Sequence, residues 1–549
     1  MMLEGCTPFP ADFAERYVRE GIWRRESICE AVANAARERP DSIAVADTTR
    51  SLTFSQLVAE ARSLAALLSR NGIERNDRVV IQLPNCVEFA TLTLACLVLG
   101  ALPVMALPAY RKAELEYLVS FADAKALAIA PIYRGFDHTA LAHELKVRLI
   151  LSTTPADGCV CMHEHGGAPC SLESSGDPFE VALFLLSGGT TGMPKLIPRT
   201  HADYLYNARA SAAACGLTPE SRILIALPAE HNFPLACPGL LGALLCGTRT
   251  FFSQSTKAAD LANTIAREQI THLPCVPTIA LAILDLPQSS RADLKSLRVI
   301  TVGGQRLPER VARDLKRTYP HLVVQQVLGM SEGLLCYTRL DERDEIAFTT
   351  QGSPLSPADE IRIVNPDGTD VAAGAVGELW CRGPYTIRAY FHAPDRNREA
   401  FTADGFYRTG DLVRLDSSGN LVVEGRIKDL INRGGEKVNA EEIETHLIAH
   451  PAVSAAAVVA MPDAILGEKA CAYLSLRNGA TLALAAMREF LAARGVAQFK
   501  WPERIELVAE LPLTNVGKIR KSELRRDIAE KLANERTASA HGLVASRGN

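Results

Sequence analysis

A chain of 549 residues exceeds what one hydrophobic core usually supports, so at least two domains are expected, one of them large enough to bury an extensive sheet. Its composition, 48% hydrophobic and 22% charged, is that of an ordinary globular enzyme. A net charge of -4 offers no broad basic field to a phosphate backbone or an anionic bilayer, which argues against nucleic acid and membrane as partners.

Met1 to Cys6 lack a basic stretch followed by an apolar run, so no export signal is expected and the cytoplasm is the expected compartment. The most apolar stretch, Val87 to Leu107, is broken by Glu88, Gly100 and Pro103 and suits a buried helix and turn. From about Ser51 to Pro354 helical patterns alternate with short β-rich runs, among them Asp77 to Leu83, Ala126 to Ala130 and Leu297 to Val302. Such alternation predicts βαβ units, hence an α/β class with largely parallel sheet layers covered by helices. From about residue 352 to residue 424, short strands punctuated by Asp-Gly, Gly-Glu and Ser-Gly pairs predict a β-rich subdomain. The large domain is therefore placed at residues 1–427. A small, mobile α+β domain is placed at 428–532, after the composition shift at Gly425-Arg426-Ile427-Lys428-Asp429. Ala, Ser and Gly are prominent in residues 533–549, where a disordered tail is expected.

The 14 cysteines are scattered, mostly inside apolar runs (Cys86, Cys96, Cys246, Cys275), as expected of reduced thiols. Cys159, Cys161, His163 and His165 cluster, but their alternate-residue spacing is not the pattern of structural zinc. Val181 to Leu186 reads as a strand that delivers the segment Ser187-Gly188-Gly189-Thr190-Thr191-Gly192-Met193-Pro194-Lys195. Glycines let backbone N–H groups turn towards a phosphate, hydroxyls add donors, and the terminal lysine supplies a mobile positive charge. The segment is expected to hold phosphates. It is not a Walker loop, because Lys195 follows Met193-Pro194 where that loop needs Gly, and no Ser or Thr follows the lysine.

Further segments follow in order: His231-Asn232-Phe233-Pro234, Gly329-Met330-Ser331-Glu332-Gly333, Gly377 to Pro384, Tyr407-Arg408-Thr409-Gly410-Asp411-Leu412, Gly425 to Asp429 with Asn432 to Lys437, and Leu513 to Ile519. Together they resemble the signature set of the acyl-adenylate-forming superfamily of acyl- and aryl-CoA ligases, luciferases and nonribosomal-peptide adenylation domains, over about Ile28 to Ile528. The resemblance implies ATP and Mg2+, and a carboxylate joined to the α-phosphorus of ATP. Two anions meet in that step, so a metal and cationic groups must offset the charge that accumulates. The resemblance implies Glu332 as the Mg2+ ligand, an oxygen donor as that ion prefers. It implies Asp411 as the clamp on the ribose hydroxyls and Lys518 as the cation brought to the α-phosphate and carboxylate. Lys428 falls at the hinge on which the small domain would turn between adenylating and thioester-forming arrangements. His231 is implied as a further catalytic residue. Gly304, Val327, Gly329, Ser331, Arg426 and Lys437 are implied at the nucleotide, with Ser187, Gly188, Gly189, Thr190, Thr191, Gly192 and Lys195.

The acid is narrowed by Ile197 to Tyr204, Glu230 to Gly239 and Glu332 to Leu340. These resemble the aryl-acid activators of siderophore assembly, stand-alone enzymes that load 2,3-dihydroxybenzoate or salicylate onto a carrier protein. The resemblance implies that Asn232 hydrogen-bonds the carboxylate or ortho hydroxyl, that Phe233 walls the ring, and that Gly303 lies at the acid. Cys237 stands where the dihydroxybenzoate activators typically carry Ser, and a thiol is a weak partner for a 3-hydroxyl. Leu335 stands where they tend to have Val, tightening the pocket around an unsubstituted C3. A buried hydroxyl without a good partner costs on the order of 1–3 kcal/mol, so salicylate is expected to be preferred by roughly ten- to a hundredfold. The implied partners are salicylate or a related aryl acid and a phosphopantetheinylated aryl carrier protein on a separate chain, since the residues after Lys518 are too few for a carrier domain. A 2,3-dihydroxybenzoate-AMP ligase and an aryl-CoA ligase are the near alternatives, and a silent nucleotide-binding homologue is the alternative from another class.

Overall fold

The computed structural model describes residues 2–164, 177–187, 194–434, 436–463, 465–477, 479–514 and 517–545. Gly188, Gly189, Thr190, Thr191 and Gly192 of the phosphate segment, and His165 of the Cys/His cluster, lie outside the described residues. The chain divides into two compact units, residues 1–361 with 380–408 and residues 362–379 with 409–549.

Two sheets build the first unit. One runs, in strand order, Leu196–Thr200, Val181–Leu186, Leu102–Met105, Arg78–Gln82, Ala124–Ile129, Leu149–Ser152 and Val160–Cys161, parallel except at its Leu196–Thr200 edge. The other runs Ser353–Pro354, Gly333–Tyr337, Val323–Met330, Val299–Gly303, His272–Cys275, Arg222–Ile225, Arg249–Phe252, Ile43–Ala46 and Ser51–Thr53. Its interior is parallel and its edges antiparallel. Continuous apolar runs such as Val79, Val80 and Ile81, all fully buried, are what a sheet covered on both faces requires. The apolar stretch after residue 86 is the buried helix Val87–Leu99, closed by Gly100 at φ 77°. Among the described residues no helix is long and apolar enough to cross a membrane.

The site-bearing elements of this unit are β1 (Val181–Leu186), β2 (Leu196–Thr200), α1 (His201–Ala214), α2 (Asn232–Ala236), β3 (Val299–Gly303), β4 (Val323–Met330) and β5 (Gly333–Tyr337).

A four-stranded sheet, ordered Glu360–Val364, Gly377–Arg382, Tyr407–Leu415 and Leu421–Arg426, fills the β-rich stretch, and the division between the units falls within its strands. The composition shift placed that division at Lys428. In the structure the Leu421–Arg426 strand is tied to the chain after it, since Asn439 Nδ2 donates to the Glu424 carbonyl. The second unit also holds a five-stranded sheet with helices Ala440–Ile448 and Leu484–Ala493, around a core that includes Ile443, Leu447, Val458, Leu474 and Leu491. The last helix, Lys521–Ala545, runs through most of the stretch where composition predicts disorder, and its many Ala, Glu and Arg residues are strong helix formers.

Candidate active site

β1 and β2 pair antiparallel with Leu186 opposite Leu196, so the phosphate segment is the connection between them. Its ends are tied together: Ser187 N–H donates to Lys195 O, and Lys195 N–H to Ser187 Oγ, both at 3.1 Å. Lys195 leaves this closed base half-buried, its Nζ 4.3 Å from the centre of the Tyr390 ring. Burial pulls the Lys195 ammonium below the ordinary lysine range, and Glu332 opposes that shift. The Tyr390 hydroxyl donates to Glu332 Oε1 at 2.8 Å and meets the Tyr407 hydroxyl at 3.1 Å. Lys195, Tyr390 and Glu332 thus form one cluster of cation, ring and carboxylate.

A single buried carboxylate with a cation close by fits a Mg2+ ion shared with nucleotide phosphates better than an ion caged by protein alone. Among the described residues no group of three or more His, Cys, Asp or Glu is placed to hold a metal. Tyr390→Phe removes one charge-assisted hydrogen bond, so ATP–pyrophosphate exchange is expected to fall by roughly tenfold. Exchange kinetics on the purified variant check this, and an unchanged rate would mean that Glu332 is oriented without the hydroxyl.

Arg199 at the end of β2 and Asp203 in the first turn of α1 are buried, with Arg199 Nε donating to Asp203 Oδ1 at 2.8 Å. Arg199 also donates to the carbonyls of Ser331 at 3.1 Å and Tyr385 at 3.2 Å, and its guanidinium lies 4.6 Å from the centre of the Tyr204 ring. Asp203 accepts from the N–H and hydroxyl of Thr200 at 2.7 and 2.8 Å, closing the capping box that starts α1. Burial pushes the Asp203 carboxyl up, and Arg199 draws it back. One arginine at the end of β2 therefore holds the Ser331 carbonyl, immediately before Glu332.

α2 is capped by His231, whose Nδ1 accepts from Phe233 N–H at 3.4 Å. The buried Asn232 accepts from the Tyr204 hydroxyl at 2.9 Å and donates to the Met330 carbonyl at 3.4 Å, so its amide spans from α1 to the end of β4. At Gly303, the last residue of β3, a Cβ would lie 2.6 Å from Val327 Cγ1 and 3.3 Å from the Phe233 ring. Only a bare Cα admits both neighbours there. Gly304 follows at φ 85°. Gly329 stands opposite Leu335 in the β4–β5 pairing, and the Leu335 side chain occupies the space over the glycine. Cys237 is buried with Sγ accepting from Asn207 Nδ2 at 3.3 Å, and burial pushes its thiol up to about 11. The implied acid-binding residues thus lie on α2 and on neighbouring points of β3, β4 and β5. Tyr204 and Asn207 of α1 and Arg199 of β2 join them, and Tyr390 joins Glu332, without having been singled out in the sequence.

In the four-stranded sheet, the strands Tyr407–Leu415 and Leu421–Arg426 pair so that Asp411 stands opposite Arg426, both in the second unit. The Asp411 side chain is buried and binds Arg426 Nε at 2.7 Å. Lys428 follows in the turn Ile427–Asp429, where burial and the neighbouring Arg426 charge hold its ammonium below the ordinary lysine range. Lys437 donates to Asn432 Oδ1. Lys518 sits on a tight turn: Thr514 N–H donates to Lys518 O at 2.6 Å, Lys518 N–H donates to Thr514 Oγ1 at 3.0 Å, and Gly517 takes φ 77°.

The model of the AMP-binding enzyme family matches residues 32–391, and that of the AMP-binding enzyme C-terminal domain matches residues 442–518. The chain is 44% identical to a 2,3-dihydroxybenzoate-AMP ligase of Bacillus subtilis (strain 168), covering 97% of this chain and 99% of that protein. It is 42% identical to a salicyl-AMP ligase / salicyl-S-ArCP synthetase of Mycobacterium tuberculosis, covering 96% and 95%. The apo structure of MbtA from Mycobacterium smegmatis matches with a TM-score of 0.73 at 44% identity, covering 95% of this chain and 98% of that one. With its family model matched over more than half its length, the chain belongs to the AMP-binding enzyme family.

Proposed function

We propose that the protein uses ATP to convert salicylate to salicyl-AMP and pyrophosphate. It then transfers the aryl group to the phosphopantetheine thiol of an aryl carrier protein in siderophore biosynthesis. Aryl-acid adenylation is supported by near full-length similarity to relatives named for two such acids. Overall identity does not choose between those acids, since 44% and 42% are nearly equal. The observation that carries the choice is Cys237, a buried neutral thiol where a 3-hydroxyl would need a strong partner, with Leu335 filling the space over Gly329.

In the first step a carboxylate oxygen of salicylate attacks the α-phosphorus, an acyl–phosphate bond forms, and the bond to the β-phosphate oxygen breaks. Asn232 orients the acid against Phe233 and Gly303, and His231 holds the start of α2. The Ser187–Lys195 segment, with Gly304, Val327, Gly329 and Ser331, receives the nucleotide, and Asp411 with Arg426 and Lys437 receives its ribose end. Lys518 supplies the cation at the α-phosphate. Mg2+, when bound, contributes positive charge against the phosphates, with Glu332 as its protein ligand. In the second step the carrier thiol attacks the acyl carbon and AMP leaves, Lys428 serving as the pivot between the two steps.

An ATP–pyrophosphate exchange panel tests the acid. Salicylate is expected to exceed 2,3-dihydroxybenzoate by roughly ten- to a hundredfold in kcat/KM. Faster exchange with 2,3-dihydroxybenzoate or benzoate would overturn the salicylate reading.

A further inference from the structure

Behind Cys237, two side chains of α1 each bury one polar oxygen that has no hydrogen-bond partner among the described residues. Asn207 and Ser211 stand one helical turn apart, both 0% exposed. The Asn207 amide is oriented by its own bonds: Nδ2 donates to Ala236 O at 2.9 Å and to Cys237 Sγ at 3.3 Å. That leaves Oδ1 with no hydrogen-bond partner among the described residues. The Ser211 hydroxyl lies beside the Cys237 thiol and the Tyr337 hydroxyl, yet completes no hydrogen bond among the described residues. The Tyr337 proton is used elsewhere, donated to the Cys237 carbonyl at 3.1 Å, so Tyr337 has none to give Ser211.

Buried polar atoms left unpaired are rare and unfavourable, so a pair of them beside a ligand pocket asks for an occupant. Asn207 Oδ1 can only accept, so the occupant must donate. Ser211 Oγ can give as well as take. A single O–H group meets both requirements, donating to Asn207 and accepting from Ser211.

We propose that Asn207 and Ser211 form a hydroxyl-binding floor of the acid pocket. They hold a water molecule when the aryl acid has no substituent there, and bind the ring hydroxyl directly when the acid is a 2,3-dihydroxy compound. The proposal rests on the salicylate reading given above and deepens it. Cys237 weakens the binding of a second ring hydroxyl but does not abolish it, and the remaining use of such an acid runs through the two α1 side chains.

Ser211→Ala deletes the hydroxyl while keeping both donor bonds of Asn207. In exchange assays the salicylate to 2,3-dihydroxybenzoate ratio of kcat/KM is expected to rise by about tenfold. The salicylate to 3-methylsalicylate ratio, which reports the same space without a donor, is expected to stay within about twofold, as befits a lost hydrogen bond and not a changed shape. Ser211→Cys, nearly the same in size, is expected to move the ratios in the same way and stands in where the alanine variant fails to fold. An unmoved salicylate to dihydroxybenzoate ratio with active enzyme, or equal movement of both ratios, overturns the floor alone. Absence of exchange with either hydroxylated acid overturns the salicylate reading, and the floor with it.

Discussion

Lys518→Ala is expected to lower ATP–pyrophosphate exchange by about 10²–10³-fold, the loss that follows removal of one group aimed at charge developing in a transition state. The turn that presents Lys518 is held through its backbone, by the Thr514 N–H to Lys518 O bond and the Lys518 N–H to Thr514 Oγ1 bond. Truncating the side chain leaves both bonds in place, so the variant is expected to stay folded and to keep binding ATP. The second half-reaction separates this role from a general one. If the lysine acts only while the carboxylate meets the α-phosphate, thioester formation from salicyl-AMP supplied ready-made is expected to fall by less than about tenfold. Equal losses in the two half-reactions would overturn the assignment.

Arg199→Met is expected to destabilise the first unit by about 3–5 kcal/mol, the range for breaking a buried ion pair at one partner. Asp203 would be left fully buried with no cation, and the carbonyls of Ser331 and Tyr385 would lose their donor. Burial already pushes the Asp203 carboxyl up against the pull of Arg199, so the variant is expected to carry a protonated Asp203 at neutral pH. The sign follows: a carboxyl whose pKa is raised on folding favours the folded state at low pH and loses that contribution as pH rises. Urea unfolding at several pH values checks both parts. The variant is expected to be weakest at alkaline pH, and a loss under about 1 kcal/mol at every pH would show that the pair does not hold this region.

The fold class was legible because a parallel sheet covered on both faces needs unbroken apolar strands, and runs such as Val79 to Ile81 advertise that locally. The unit division was less so. The composition shift at Lys428 marks a turn, whereas in the structure the second unit already takes in residues 362–379 and 409–427, and Asn439 reaches back to Glu424. Lys195, Glu332, Asn232 and Cys237 could be singled out as candidates because each lies inside a short motif. Tyr390 acts on a carboxylate 58 residues away and Arg199 on a carbonyl 132 residues away, separations that no local pattern encodes. Asn207 carries even less signal, since a polar residue in an Ala-rich helix looks like an exposed one until α2 is seen packed over it.

α1 also bears on how a pocket of this kind is re-engineered. The amide of Asn232 and the Cys237 thiol are held from this helix by Tyr204 and Asn207, and the backbone before Glu332 is held by Arg199, which its Asp203 anchors at the end of β2. A graft confined to Asn232–Cys237 would import recognition side chains without their scaffold, whereas moving that loop together with its supporting helix transfers a self-consistent module.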